Sequence, residues 1–170
     1  LMNRELGIGA RHITLSTAGV VPGIYRLLQE QLQITLAISL HAATDKLRRR
    51  LMPGMAKWSI KEIVTACRDY AEHTGRRVTV EYCLLGDVND GKDEAQELAN
   101  LLKGWTVHVN VIPYNRVDSL PFNSPSAKVT TSFISILQSA GIQITQRFER
   151  GSDINAACGQ LRRQIGADRV

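Results

Sequence analysis

The sequence predicts an α/β fold, a partial β/α barrel of parallel strands and outer helices, truncated at its N-terminal side. Three observations predict it. Strand-like and helix-like stretches alternate along all 170 residues, at the spacing of βαβ units. Only five strand candidates appear, too few for a closed eight-stranded barrel. No linker, internal repeat or low-complexity tract divides the chain, so residues 1–170 read as one unit without an internal boundary.

The elements follow in order. "HITLST" (12–17) is a short strand. "GVVPGIYRLLQEQ" (19–31) is a helix, with Pro22 in its first turn, where a missing N–H costs nothing. "TLAISLHA" (35–42) is a near-continuous apolar run, as in a strand buried on both faces. Thr44 can cap "DKLRRRLM", which Pro53-Gly54 stops. Ser59 and Glu62 form a capping box for "IKEIVTACRDYAEH", and Gly75 stands at its C′ position. "RVTVEYCLL" (77–85) is a strand, "GDVNDG" a polar turn, and "DEAQELANLLKG" an amphipathic helix. "VHVNVIPYN" (107–115), "VTTSFISILQSAG" (129–141) and "IQITQRF" (142–148) add a strand, a helix and a strand. The stretch from Asp153 reads as helical.

Composition narrows the function. A chain with 44% hydrophobic and 22% charged residues builds an ordinary core. No apolar stretch approaches the roughly 20 residues that span a bilayer, and the first residues lack the apolar region of a signal peptide. Cys67, Cys83 and Cys158 are odd in number and widely spaced, which argues against a disulfide framework and for a reducing, cytoplasmic setting. With no Cys-x-x-Cys pair, they do not form a complete metal site. The net charge of +5, with Arg48, Arg49 and Arg50 consecutive, suits a polyanion such as RNA. At 5% aromatic residues, a base-stacking sheet is not expected.

In parallel sheets chemistry gathers at the carboxyl ends of the strands. There the chain places Ser16-Thr17, Ser39-Leu40-His41, Glu81, Asn110 to Asn115, and the segment 147–159. Ser39 and His41 share a strand face; they suit either ligand binding or a satisfied strand-end histidine. A Ser-His hydrolase lacks its Gly-x-Ser-x-Gly elbow. "STAG" permits close backbone approach to a ligand or forms a plain tight turn, and it matches no dinucleotide fingerprint. Asp87, Asn89 and Asp90 suit a turn better than an EF-hand. Cys67 and Cys83 sit in a helical and a strand pattern, as core residues do. Cys158 differs. It lies where a loop passes into a helix, whose positive end favours thiolate.

Five motifs in one order, "HITLSTAGVVPGI", "LAISLHA…R…LMP", "VTVEYCLLGDVND", "VNVIPYN" and "RGSDINAACGQL", resemble the radical S-adenosylmethionine (SAM) RNA methyltransferases that methylate C2 of adenosine in 23S rRNA and often tRNA. The resemblance covers almost the whole chain. It implies that Ser16, the strand end Ser39-Leu40-His41 and Asn115 bind SAM. It also implies that Cys158 is methylated and carries the methyl group to RNA. In that family a second SAM is cleaved at a [4Fe-4S] cluster fed by an electron donor. The resulting radical activates the cysteine's methyl group, which adds to the electrophilic C2. The family's Cys-x-x-x-Cys-x-x-Cys loop, Gly-Glu motif, resolving cysteine and accessory RNA-binding domain are not in this sequence. The reading is therefore the C-terminal half of such an enzyme, inactive by itself, with those parts expected upstream. Its alternative is a cluster-less remnant that binds RNA without catalysis. A truncated barrel is further expected to expose an unpaired strand edge and an apolar inner surface, and so to self-associate.

Overall fold

A computed structural model describes residues 7–55, 57–116 and 120–147. Its single sheet has five parallel strands in sequence order: β1 (Thr14–Thr17), β2 (Thr35–Ser39), β3 (Val78–Leu84), β4 (Val107–Pro113) and β5 (Gln143–Gln146). Helices α1 (Val21–Gln29), α2 (Asp45–Leu51), α3 (Ile60–Thr74), α4 (Lys92–Leu102) and α5 (Ala127–Ser139) connect them. A parallel pair needs a crossover, and crossovers are right-handed. When each strand pairs with the next in sequence, successive crossovers fall on the same side. The helices therefore cover one face of the sheet, the arrangement of an opened barrel.

Local signals account for the boundaries. Pro22 stands in the first turn of α1. Thr44 accepts from Leu47 N at the start of α2. At α3 both halves of the Ser59–Glu62 capping box form, and Gly75 closes the helix in the left-handed conformation. The start of α5 lies two residues earlier than the sequence reading placed it, because Ser126 accepts from Val129 N and caps it.

The core lies between the sheet and its helices. Leu36, Ile38 and Leu40 join Val78, Val80, Tyr82 and Leu84, and Val107, Val109 and Val111, under Ile63, Cys67, Leu98, Phe133 and Leu137. The opposite face is different. Its residues alternate with the core ones: Thr79, Glu81 and Cys83 on β3, and His108 and Asn110 on β4, all half-buried.

Two expectations change here, while the burial of β2 on both faces holds: Leu36, Ala37 and Ile38 are all buried, with the small Ala37 between Thr35 and Ser39 on the open side. The inner surface is largely polar, and of the exposed apolar side chains Leu15 lies on β1, Val20 just before α1 and Tyr25 within it. Cys83 belongs to the open face and only Cys67 to the core. The alternation in "VTVEYCL" and "VHVNVIP" carries the polarity of the inner surface, since Thr79, Glu81, His108 and Asn110 interleave with the apolar core set. Among the described residues, no helix is long and apolar enough to cross a membrane.

Candidate functional site

All five carboxyl ends lie along one edge of the sheet, and the structure brings Ser16, Ser39, Leu40, His41 and Asn115 to it. Ser16 is exposed on β1, and its register partner Ala37 sits two residues before Ser39. Register partners and i+2 neighbours share a face, so both serines belong to the open face. Leu40 turns its side chain into the helix-side core, while its backbone N–H donates to Glu81 O at 3.1 Å. Only its backbone is left to meet a ligand. Asn115 follows β4, half-buried. Cys158 lies outside the described residues.

His41 has φ 58°, uncommon for a non-glycine residue. Two bonds hold it there: Cys83 N–H donates to its Nδ1 at 3.0 Å, and Asn89 Nδ2 donates to its carbonyl at 2.9 Å. A backbone N–H can only donate, so Nδ1 is the acceptor and the neutral ring carries its proton on Nε2. Burial, with the Arg48 charge second, lowers the His41 pKa to about 4. At neutral pH His41 is thus a fixed, uncharged N–H donor. Among the described residues Ser39 and His41 form no hydrogen bond with each other, so no hydrolase dyad is assembled.

Asn89 and Arg48, read from the sequence as a turn former and as part of a basic run facing a polyanion, are instead buried residues that position this edge. Asn89, fully buried, donates to His41 O and Cys83 O and accepts from Leu85 N at 2.6 Å. Tyr82 Oη donates to its carbonyl. The turn-former of "GDVND" therefore ties the ends of β2 and β3 together. Arg48 is 1% exposed and donates to Ala18 O at 2.6 Å and to Met55 O at 3.2 Å, fastening α2 to the loop after β1. In that loop Thr17 Oγ1 accepts from Gly19 N at 3.2 Å. Gly19 has φ 91°, and a Cβ there would come within 2.6 Å of Ile63 Cδ1, so glycine alone fits the turn. No local pattern announces either tie, because their partners lie on other elements.

One register row crosses the open face: Ser39, Glu81, Asn110 and Thr145. Asn110 Nδ2 donates to Glu81 Oε1 at 2.8 Å. Glu81 Oε2 is buried without a hydrogen bond, and the guanidinium of Arg147, 3.9 Å away, is too far to supply one. Nearby, His108 Nε2 lies 2.9 Å from Thr145 Oγ1, and its Nδ1 is buried without a partner. Burial first, then Arg77, lowers the His108 pKa. This row offers a carboxylate acceptor, and His41 and His108 beside it add imidazoles; together these fit a ligand carrying hydroxyl donors and heterocyclic nitrogens, such as a nucleoside.

The described residues contain no group of three His, Cys, Asp or Glu side chains able to hold a metal ion. Burial pushes the Cys67 thiol up to about 12, so it is no thiolate ligand. An iron–sulfur cluster does not fit them.

The fold is that of a radical SAM methyltransferase. The chain superposes on a radical SAM methyltransferase from Sphaerobacter thermophilus with a TM-score of 0.88 and 48% identity, over 94% of this chain and 47% of that one. A domain of the pyruvate-formate lyase-activating enzyme from Bacteroides vulgatus shares the fold alone, with a TM-score of 0.66 and 18% identity. No protein-family model matches. In sequence, the chain is 54% identical to the "Probable dual-specificity RNA methyltransferase RlmN" of Clostridium tetani, over 96% of this chain and 48% of the relative. It is 55% identical to the protein of the same name from Symbiobacterium thermophilum, over 92% and 43%. The chain is thus a homologue of one half of these dual-specificity RNA methyltransferases and spans about half the length of the relatives it matches.

Proposed function

We propose that this chain supplies the SAM-holding carboxyl edge and the methyl-carrying cysteine of an enzyme that methylates C2 of adenosine in 23S rRNA and tRNA. The observation that carries the reading is the clustering of Ser16, Ser39, His41 and Asn115 at one sheet edge, in a chain about half identical to RNA methyltransferases. His41 Nε2–H and the Ser16 and Ser39 hydroxyls present hydrogen-bonding groups to SAM, and the Leu40 backbone and Asn115 flank them. Glu81 Oε2 accepts a ribose hydroxyl. SAM supplies the methyl group; a [4Fe-4S] cluster, held by residues outside those described and reduced by an electron donor, supplies the electron. Cys158 would take the methyl group from SAM as a thioether, with S-adenosylhomocysteine and the thiol proton leaving, and present it to the adenine. The setting is cytoplasmic, where RNA and thiols meet.

The test replaces Cys158 with alanine in the protein as its gene encodes it. Loss of 2-methyladenosine from digested RNA, with SAM binding retained, is the expected result; persistent methylation would sink the assignment. A cluster-less RNA-binding remnant would yield no 2-methyladenosine even with Cys158 intact.

A further inference from the structure

Resting on that reading, we infer that the surface formed by α2 and the first turn of α3 is an RNA-docking surface, which grips the phosphate backbone beside the SAM edge. It carries Lys46, Arg49, Arg50 and Lys61, with Lys57 in the segment between the two helices, all exposed. Its place follows from topology. α2 begins four residues after His41, and α3 leads back from the carboxyl edge towards the start of β3. The surface is held firmly, since Arg48 is bonded to the loop after β1 and Asp45 Oδ1 accepts from Ile60 N at 2.7 Å.

The charges are not placed for the stability of their own helices. Lys46 and Lys61 occupy the second positions of α2 and α3, where the helix dipole disfavours cations. Lys46 stands three and four residues before Arg49 and Arg50, spacings at which like charges repel. Among the described residues none of the five forms an ion pair; the single pair present is Arg147–Glu81. The neighbouring acids are engaged elsewhere, Asp45 with Ile60 N and Glu62 with Ser59 N and Oγ. The helix dipole does favour Arg49 and Arg50 in the last turn of α2, but it accounts for neither lysine. Lys57 already lies 5.3 Å over the Trp58 ring; a phosphate backbone satisfies the other four, and arginine's planar fork suits phosphate oxygens.

The test uses the protein as its gene encodes it, a labelled RNA hairpin with an unpaired adenosine, and fluorescence anisotropy across a salt series. The double variant R49Q/R50Q is expected to bind on the order of tenfold more weakly near 0.1 M salt. The slope of log K against log[salt] should fall by roughly 1.5, the value for two lost phosphate contacts. SAM binding, measured in parallel by equilibrium dialysis, stays unchanged. The control R26Q/K103Q removes the same charge from exposed sites at the opposite edge and keeps the wild-type slope. The inference is overturned if R49Q/R50Q also keeps it, if both variants lose it equally, or if the surface captures anionic vesicles in preference to RNA. A wild-type protein that binds SAM but no RNA would overturn the proposed function itself, which keeps the two failures apart.

Discussion

On β3, Val78, Val80, Tyr82 and Leu84 are sealed beneath helices, whereas Thr79, Glu81 and Cys83, the residues between them, stay half-buried on a face that no described helix covers. The helix side has the close packing of a folded core, including the tilted Tyr82–Phe133 pair with ring centroids 5.3 Å apart. The open side holds a row of hydrogen-bonding groups, some without partners. One face carries the stability and leaves the other free to be polar. A ligand site is thereby built on strands, which hold side chains more rigidly than loops do.

The sharpest way to break this contrast is to empty the sealed side. Phe133→Ala removes a side chain 1% exposed and should cost about 3–5 kcal/mol, read as a lower denaturant midpoint. A loss below about 1 kcal/mol would mean that this face is not the core.

The junction between the faces comes next. His41 has a folded pKa of about 4, below its ordinary 6.5, so the unfolded chain takes up the proton more readily. Stability should be intact above pH 6.5 and fall as the pH drops towards 4, by about 3 kcal/mol in all. Denaturation curves from pH 7 to 4 should show this slope, and His41→Gln should reduce it. An unchanged slope in the variant would place the acid sensitivity elsewhere.

The smallest effect on stability belongs to the open side. Glu81→Gln keeps an acceptor for Asn110 and loses only the long approach of a mostly exposed Arg147. It should change stability by less than about 0.5 kcal/mol. SAM affinity, by calorimetry on the gene-encoded protein, should nonetheless fall roughly tenfold, the worth of one charge-assisted hydrogen bond. The reverse pattern, a large stability loss with unchanged binding, would make Glu81 structural.

Much of this was legible in advance. Thr44, the Ser59–Glu62 box and Gly75 are signals carried within a few residues, and each marks a real helix boundary. The alternation of apolar runs with amphipathic stretches was enough for five strands and their parallel pairing. The polar strand ends marked Ser16, the stretch Ser39 to His41 and the run Asn110 to Asn115, and the family resemblance singled out Ser16, Ser39, Leu40, His41 and Asn115 among them as expected SAM contacts. What stayed hidden depends on contacts distant in sequence. Asn89 acts through His41, 48 residues away, and Arg48 through Ala18, 30 residues away. The polarity of the inner face was legible in the alternation of "VTVEYCL" and "VHVNVIP" but was set aside for the general expectation that an opened barrel exposes apolar surface. Ser126 was a missed cap within reach, three residues before Val129.

The strand order has one more consequence, in time rather than in space. Each strand's first partner is the strand made just before it, and the intervening helix packs onto the growing sheet. No pairing must wait for a distant segment, so little loop-closure entropy accumulates before contacts repay it. The sheet can be laid down in the order of synthesis, as the chain leaves the ribosome. By the time β3 emerges, the partner that holds Ser39 in register is in place, and Asn89 arrives five residues later to lock His41.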